Sequence, residues 1–382
     1  MKRSFGSIFL LFIIFGCVDR LFYDIPIGNT FGISISGHIS DEPGPYRVNV
    51  FRNFDVESRE NLKTGVTAES VMISDAEGNS EMLSQVSSGV YETPVDGLRG
   101  KVGGVYKVTV GLSDGRTYES VPDTLKKGGV IDSVYYELVY RRVPEGTSYD
   151  LRVYANSVAP VDNANTYFMW ENKTTYKTKT KPEDEASDPK KAPCYMQPNG
   201  VCNYVHPCSG ILNVGSTSTP DFRNVHPCEC CFCWYDQYNP GILLSDNLSS
   251  AGGRYRDILV DRVELTGWNM MFKMRLEVSI QSLSPQAYRF WKGVRDQRSA
   301  STNIFQPITG KITGNIIQTG GPDYQVGGIF YATSVNSKVL YVKRDDVDSK
   351  LLPSIELPHA GEFPCFKLAP NATTTLPSFW IE

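Results

Sequence analysis

Thiols and imidazoles crowd into one stretch of this sequence. Val-His-Pro-Cys occurs twice, at 205–208 and 225–228, and the second copy runs on into Cys228-Glu229-Cys230-Cys231-Phe232-Cys233. Cys194 and Cys202 precede the stretch, Cys365 lies far behind it, and only Cys17 stands apart near the N-terminus. Two kinds of chemistry fit. Thiolate and imidazole are good ligands for zinc or copper, and His206, Cys208, His226 and Cys228 are the set that the repeated motif would offer a metal. Yet the cysteines after residue 228 are packed into C-x-C and C-C steps, not spread over two separated knuckles. The other chemistry is oxidation. Cys194, Cys202, Cys208, Cys228, Cys230, Cys231, Cys233 and Cys365 make an even set, which in an oxidising compartment reads as structural disulfides; their connectivity is not fixed by spacing. A redox-active pair is a third reading.

Other reactive groups are scattered. His38 and His359 are isolated and read as ordinary surface or packed histidines. Asp345-Asp346-Val347-Asp348 has the carboxylates for calcium but lacks the glycine and distal glutamate of a calcium-binding loop, so it reads as a solvated turn. Beyond the leader, no G-x-S-x-G, H-E-x-x-H, P-loop or G-x-G-x-x-G element is present, which removes the common nucleophile, metalloprotease and nucleotide signatures. No cofactor is implied. An enzyme built on dispersed carboxylates stays open.

The elements that must position these groups are strands. Apolar residues recur with period two in Phe31, Ile33, Ile35 and Ile39, in Tyr46-Val48-Val50, around Val71 and Ile73, and in Tyr106-Val108-Val110-Leu112, which puts alternate side chains on one buried face. Turn signals at Asp75–Gly78, Ser88-Gly89 and Ser113-Asp114-Gly115 separate them. This predicts an immunoglobulin-like or transthyretin-like β-sandwich over residues 28–125. Breakers at 121–129 mark a junction, and a second β-rich domain is expected over 130–382. Its strands include Val134–Tyr140, Tyr149–Val153 and Phe272–Ile280, the last with one buried and one solvated face. Tyr136, Tyr140 and Phe168 are expected to fill its core. Ser284-Pro285 should start one short amphipathic helix with Ala287, Phe290, Trp291 and Val294 on its packing face. Between 173 and 234 the alternation lapses, and a polar, exposed, cysteine-rich insertion is expected there.

The N-terminus reads Lys2-Arg3, an apolar run from Phe5 to Phe15, then Gly16-Cys17, the order of an export signal. A segment of eleven residues is too short to cross a bilayer, which takes roughly 20 apolar residues. Ile14-Phe15-Gly16-Cys17 resembles the lipobox of bacterial lipoproteins, although Phe15 stands where a small residue is usual. The resemblance implies a signal peptide over 1–16, a lipid on Cys17 and an anchored linker over 17–27, so that the protein meets the membrane through acyl chains. Cleavage would leave 36 basic residues against 42 acidic ones, a net charge of −6, which argues against a nucleic-acid partner.

Four segments carry a wider likeness: Ser282-Leu283-Ser284-Pro285-Gln286-Ala287-Tyr288-Arg289-Phe290-Trp291; Ile304-Phe305-Gln306-Pro307 with Ile312-Thr313-Gly314-Asn315-Ile316; Gly327–Val335; and Pro377-Ser378-Phe379-Trp380. With Val71–Tyr118 they resemble a family of Bacteroidota outer-membrane lipoproteins of unknown function, often encoded beside TonB-dependent receptors. The cysteine-rich stretch is denser than that family's pattern. The resemblance implies an outer-membrane, lipid-anchored protein on the periplasmic or cell-surface face. Its role would be a non-catalytic accessory or docking subunit of a TonB-dependent uptake system. The alternatives are an envelope enzyme acting on glycans or peptides, and a metal-binding lipoprotein using the Cys/His cluster.

Overall fold

The computed structural model of the chain describes residues 32–52, 64–143, 146–160, 166–182, 194–247, 253–301, 312–347 and 363–381. The signal segment, Cys17, the linker to residue 27, His359, Asp348 and the Ile304–Pro307 motif lie outside them. Among the described residues the chain is mainly β with one short α-helix, as its patterning implies.

In the first sandwich the alternating apolar residues interleave as expected. Ile33, Ile35 and Ile39 of Ile33–Ser40, Val48 and Val50 of Arg47–Arg52, Val71 and Ile73 of Ser70–Asp75, and Tyr106, Val108 and Val110 of Val105–Gly111 are buried in one core. One sheet carries Ile33–Ser40, Arg47–Arg52 and Val90–Glu92 in adjacent positions; the other carries Ser70–Asp75, Val105–Gly111 and Thr117–Ser120.

Two strands that the sequence places in the second domain complete this sandwich. Val326–Thr333 pairs in parallel with Ile33–Ser40, and Ile316–Gly320 pairs with Thr117–Ser120. The boundary at residues 125–130 is therefore crossed by the fold. Gly328 shows why the motif Gly327-Gly328 stands there. It sits at φ 104°, opposite Ile35, and a Cβ on it would lie 1.9 Å from the Ile35 carbonyl oxygen. A side chain at this position would both strain the backbone and push the parallel pair apart.

The second sandwich packs a three-stranded sheet (Val130–Val143, Gly146–Val158, Arg254–Glu264) on a sheet ordered Phe232–Tyr238, Tyr167–Lys179, Lys273–Leu283, Val335–Lys343. Leu151, Val153, Trp170, Met274, Leu276, Val278 and Ile280 make up much of its core. Phe168 is buried here, but Tyr140 is 66% exposed, near the end of the long Val130–Val143 hairpin arm and outside any core.

The insertion also begins later than its composition suggests. Tyr167–Lys179 is one unbroken strand, flanked on both sides by partners. Its inward positions beyond Trp170 are Asn172, Thr174, Tyr176 and Thr178, all buried, alternating with Lys173, Lys177 and Lys179. A strand whose buried face is largely polar gives no hydrophobic alternation, which is why residues 173–179 read as a loop. Likewise the outward face of Lys273–Leu283 is covered where a solvated one is expected: Arg275 and Gln281 are buried, and the Arg275 guanidinium lies 4.4 Å from the centre of the Phe379 ring.

The helix Pro285–Ser301 is capped as expected, with the Ser284 hydroxyl accepting from the Ala287 N–H. Its apolar face packs on Met169, Leu244 and Leu283 from the second sandwich and on Ile329 and Tyr331 from the first, so it wedges the two together. Between them the chain passes directly from Val326–Thr333 into Val335–Lys343 through Ser334. There the Ser334 hydroxyl donates to Asp41, the Val335 N–H donates to the same carboxylate, and the Ser334 N–H donates to the Ser282 hydroxyl.

Candidate functional site

The cysteines form four disulfides: Cys194–Cys202, Cys208–Cys230, Cys228–Cys231 and Cys233–Cys365. The first three lie in a lobe inserted between the Tyr167–Lys179 and Phe232–Tyr238 strands, and the fourth fastens the C-terminal segment to the base of the second strand. Few apolar side chains are buried in the lobe. Two asparagines take their place. Asn203 donates to the carbonyls of Val205 and Ile211, while Asn213 donates to the Cys202 carbonyl and accepts from the Gly215 and Asp221 N–H groups. Buried amides with both ends satisfied fix backbone much as a small core would. Nothing in the hydrophobic pattern marks them.

The metal set suggested by the repeated motif is not assembled. Cys208 is bonded to Cys230 and Cys228 to Cys231, so neither sulfur is a thiolate. His206 lies close to the Cys208–Cys230 bridge, its Nδ1 accepts from the Cys208 N–H, and its ring is edge-on to Tyr195 and Phe366. The His226 Nδ1 faces the Pro227 carbonyl oxygen at 2.8 Å. Asp346 accepts from the Lys343 N–H and closes a short 3-10 turn over Arg344–Asp346, with Asp345 and Asp346 exposed, in keeping with the solvated turn expected there as far as residue 347. His38 packs beside the Tyr331 ring, where burial lowers its pKa.

A site that the sequence does not reveal opens at the edge of the second sandwich. Between Arg254–Glu264 and Phe232–Tyr238 the two sheets part, leaving a cleft of about 660 Å³. Thr174, Tyr176 and Tyr235 from one sheet, Asp261 from the other, and Asn269 from the turn that follows Arg254–Glu264 line it. Strand register sorts the charges. Asp261 stands opposite buried Val153 and turns in, while the exposed Arg262 and Glu264, opposite Arg152 and Asp150, border the same cleft. Asp261 Oδ2 accepts from Asn172 Nδ2 at 2.8 Å, and Oδ1 accepts from the Arg262 N–H at 2.7 Å. Asn239 closes one side, donating through its amide to the Val260 carbonyl and through its N–H to the Asn172 carbonyl.

Residues 19–339, most of the chain, match a family described as a domain of unknown function, DUF4249. The chain belongs to the DUF4249 family. No curated protein matches it. Among solved structures, trypsin-activated alpha-2-macroglobulin from Escherichia coli aligns with 67% of this DUF4249 chain and 15% of its own length, at 10% identity and a TM-score of 0.18. A superposition that loose carries no argument about fold or function.

Among the described residues lining the cleft of this DUF4249 protein, Asp261 is a carboxyl with a shifted pKa. Burial raises the Asp261 carboxyl above the usual aspartate range, while the Asn172 amide and the Arg262 N–H pull it back. A raised value means that the folded chain holds this proton more tightly than the unfolded one. Its contribution to stability is therefore complete below the ordinary aspartate range, about pH 4, and is lost as pH rises through the elevated value. Urea unfolding should show wild type losing stability relative to Asp261→Asn over that interval. A difference independent of pH would mean that the carboxyl does not titrate with the fold.

Proposed function

We propose that this DUF4249 protein is a non-catalytic accessory of a TonB-dependent nutrient-uptake system in a Bacteroidota outer membrane, tethered by a lipid on Cys17. In this reading it captures a ligand in the inter-sheet cleft and presents it to the receptor. The cleft carries the proposal. It is concave and open, and its polar groups converge on one space from both sheets, which is the form of a preformed binding site. The lipobox-like Ile14–Cys17 and the family resemblance supply the membrane and the company.

Native purification of the full chain in mild detergent tests this. A β-barrel receptor should co-purify, and the N-terminal mass of the same preparation should carry a diacylglyceryl group on Cys17. The competing reading is an envelope enzyme acting on glycans or peptides, for which the raised Asp261 carboxyl is the group to use as a general acid. Isolation as a monomer that hydrolyses such polymers, with activity lost in Asp261→Asn, would replace the accessory role.

A further inference from the structure

The three-stranded sheet of the second sandwich stops at Arg254–Glu264, which pairs with Gly146–Val158 on one side and, among the described residues, with no strand on the other. The cleft runs along this open side. Alternation sorts the backbone groups of the strand beyond its bulge at Val260. Odd-numbered positions face Gly146–Val158, as the Leu265 N–H donating to the Tyr149 carbonyl shows just past the strand's end. Even-numbered positions face the cleft, and there side chains hold the backbone: the Val260 carbonyl accepts from Asn239 Nδ2, the Arg262 N–H donates to Asp261 Oδ1, and the Glu264 carbonyl accepts from Asn269 Nδ2, each at 2.7 Å. All six residues line the cleft. The other edges of this sandwich are met differently. The C-terminal segment covers that of Phe232–Tyr238, with Thr373 on Trp234 and Asn371 on Asp236, while Val130–Val143 lies against Val335–Lys343, joined by the Ile131 N–H to Asn336 and by Lys338 to the Asp132 carbonyl. A row of edge groups at every second residue, opening on a concave space, is the complement of one more strand.

We propose that the cleft binds an extended peptide by strand addition, its backbone pairing with Val260, Arg262 and Glu264 while Asn239, Asp261 and Asn269 release the groups they hold. Exchanging a side-chain partner for a backbone one costs little, since every group stays bonded. Alternate side chains of the peptide then turn toward Tyr235, whose ring lies 5.2 Å from that of Tyr176, and the others turn outward. This names the ligand class of the capture reading and rests on that reading only for the peptide's being a nutrient; strand addition itself needs no receptor.

Calorimetry on the detergent-purified full chain tests it with a blocked pentapeptide of alternating threonine and valine and the same peptide N-methylated at every residue, which keeps the side chains and removes the backbone donors. The unmethylated peptide should bind at least about tenfold more tightly. Arg262→Pro tests the edge itself. The Arg262 N–H points away from Gly146–Val158, and proline is tolerated on an edge strand at a position whose N–H faces outward, so the fold should survive. Peptide affinity should fall at least about tenfold in Arg262→Pro and stay within about twofold of wild type in Arg262→Ala, which keeps the N–H. Equal binding of the two peptides, no binding of the unmethylated one at millimolar concentration, or equal loss in Arg262→Ala and Arg262→Pro overturns the proposal. Tighter binding of cellobiose than of the peptide also overturns it and assigns the cleft to a glycan. Should Arg262→Pro fail to fold, the methylation comparison on wild type still decides. Co-purification of a receptor without peptide binding would remove this inference and leave the uptake role standing; peptide binding by a protein that brings down no receptor would do the reverse.

Discussion

Phe330→Ala should lower the stability of the protein by about 3–5 kcal/mol, the range for deleting a fully buried phenylalanine. The Phe330 ring is completely enclosed, and it sits among Ile35, Val48, Tyr106 and Val110 in the core of the first sandwich, although those residues precede it by more than two hundred positions. Its N–H donates to Asn315 Oδ1, which also ties the Ile316–Gly320 strand into place. The damage should therefore fall on the first sandwich. Hydrogen exchange should quicken in Ile33–Ser40 and Val105–Gly111 before it does in Tyr167–Lys179 or Lys273–Leu283. Acceleration confined to the second sandwich would show that Val326–Thr333 does not belong to the first.

Removing the Cys233–Cys365 bridge in a double alanine variant should have the next largest effect. It closes 132 residues of chain, against eight for Cys194–Cys202. The loop-entropy estimate gives about 5 kcal/mol for the former and about 2.5 kcal/mol for the latter, and measured losses run at roughly 2–5 kcal/mol. The bridge is also the root of a strap. Residues 363–381 cross the outward face of the second sheet, where Trp234 and Thr373 exchange backbone hydrogen bonds, Asn371 donates to the Asp236 carbonyl, and Tyr341 donates to that of Phe379. Without the bridge, proteolysis should release this strap first and expose Arg275 and Trp380. Equal loss of stability from the Cys194 and Cys233 variants would contradict the loop argument.

The first sandwich was legible because its strands bury one face of aliphatic side chains and wet the other. Oxidised cysteines and the capped helix were legible for similarly local reasons. What sequence could not show was pairing at a distance: nothing in Gly327–Val335 names Ile33–Ser40 as its neighbour. Nor could it show a strand whose buried side chains are Asn172, Thr174 and Thr178, since polarity there mimics a loop. The cleft was hidden for the same reason. It is floored by that strand, and its carboxylate, Asp261, carries no local mark until register turns it inward.

The return of Val326–Thr333 to the edge of Ile33–Ser40 has a bearing on how the protein is made. A chain that emerges from its N-terminus exposes Ile33–Ser40 long before its parallel neighbour exists, and an unpaired apolar edge is a template for association with other chains. Parallel pairing across nearly three hundred residues is slow to find, because loop closure must precede any reward. The first sandwich is complete only once Val326–Thr333 is available, and until then the Ile33–Ser40 edge stays open to association with other chains.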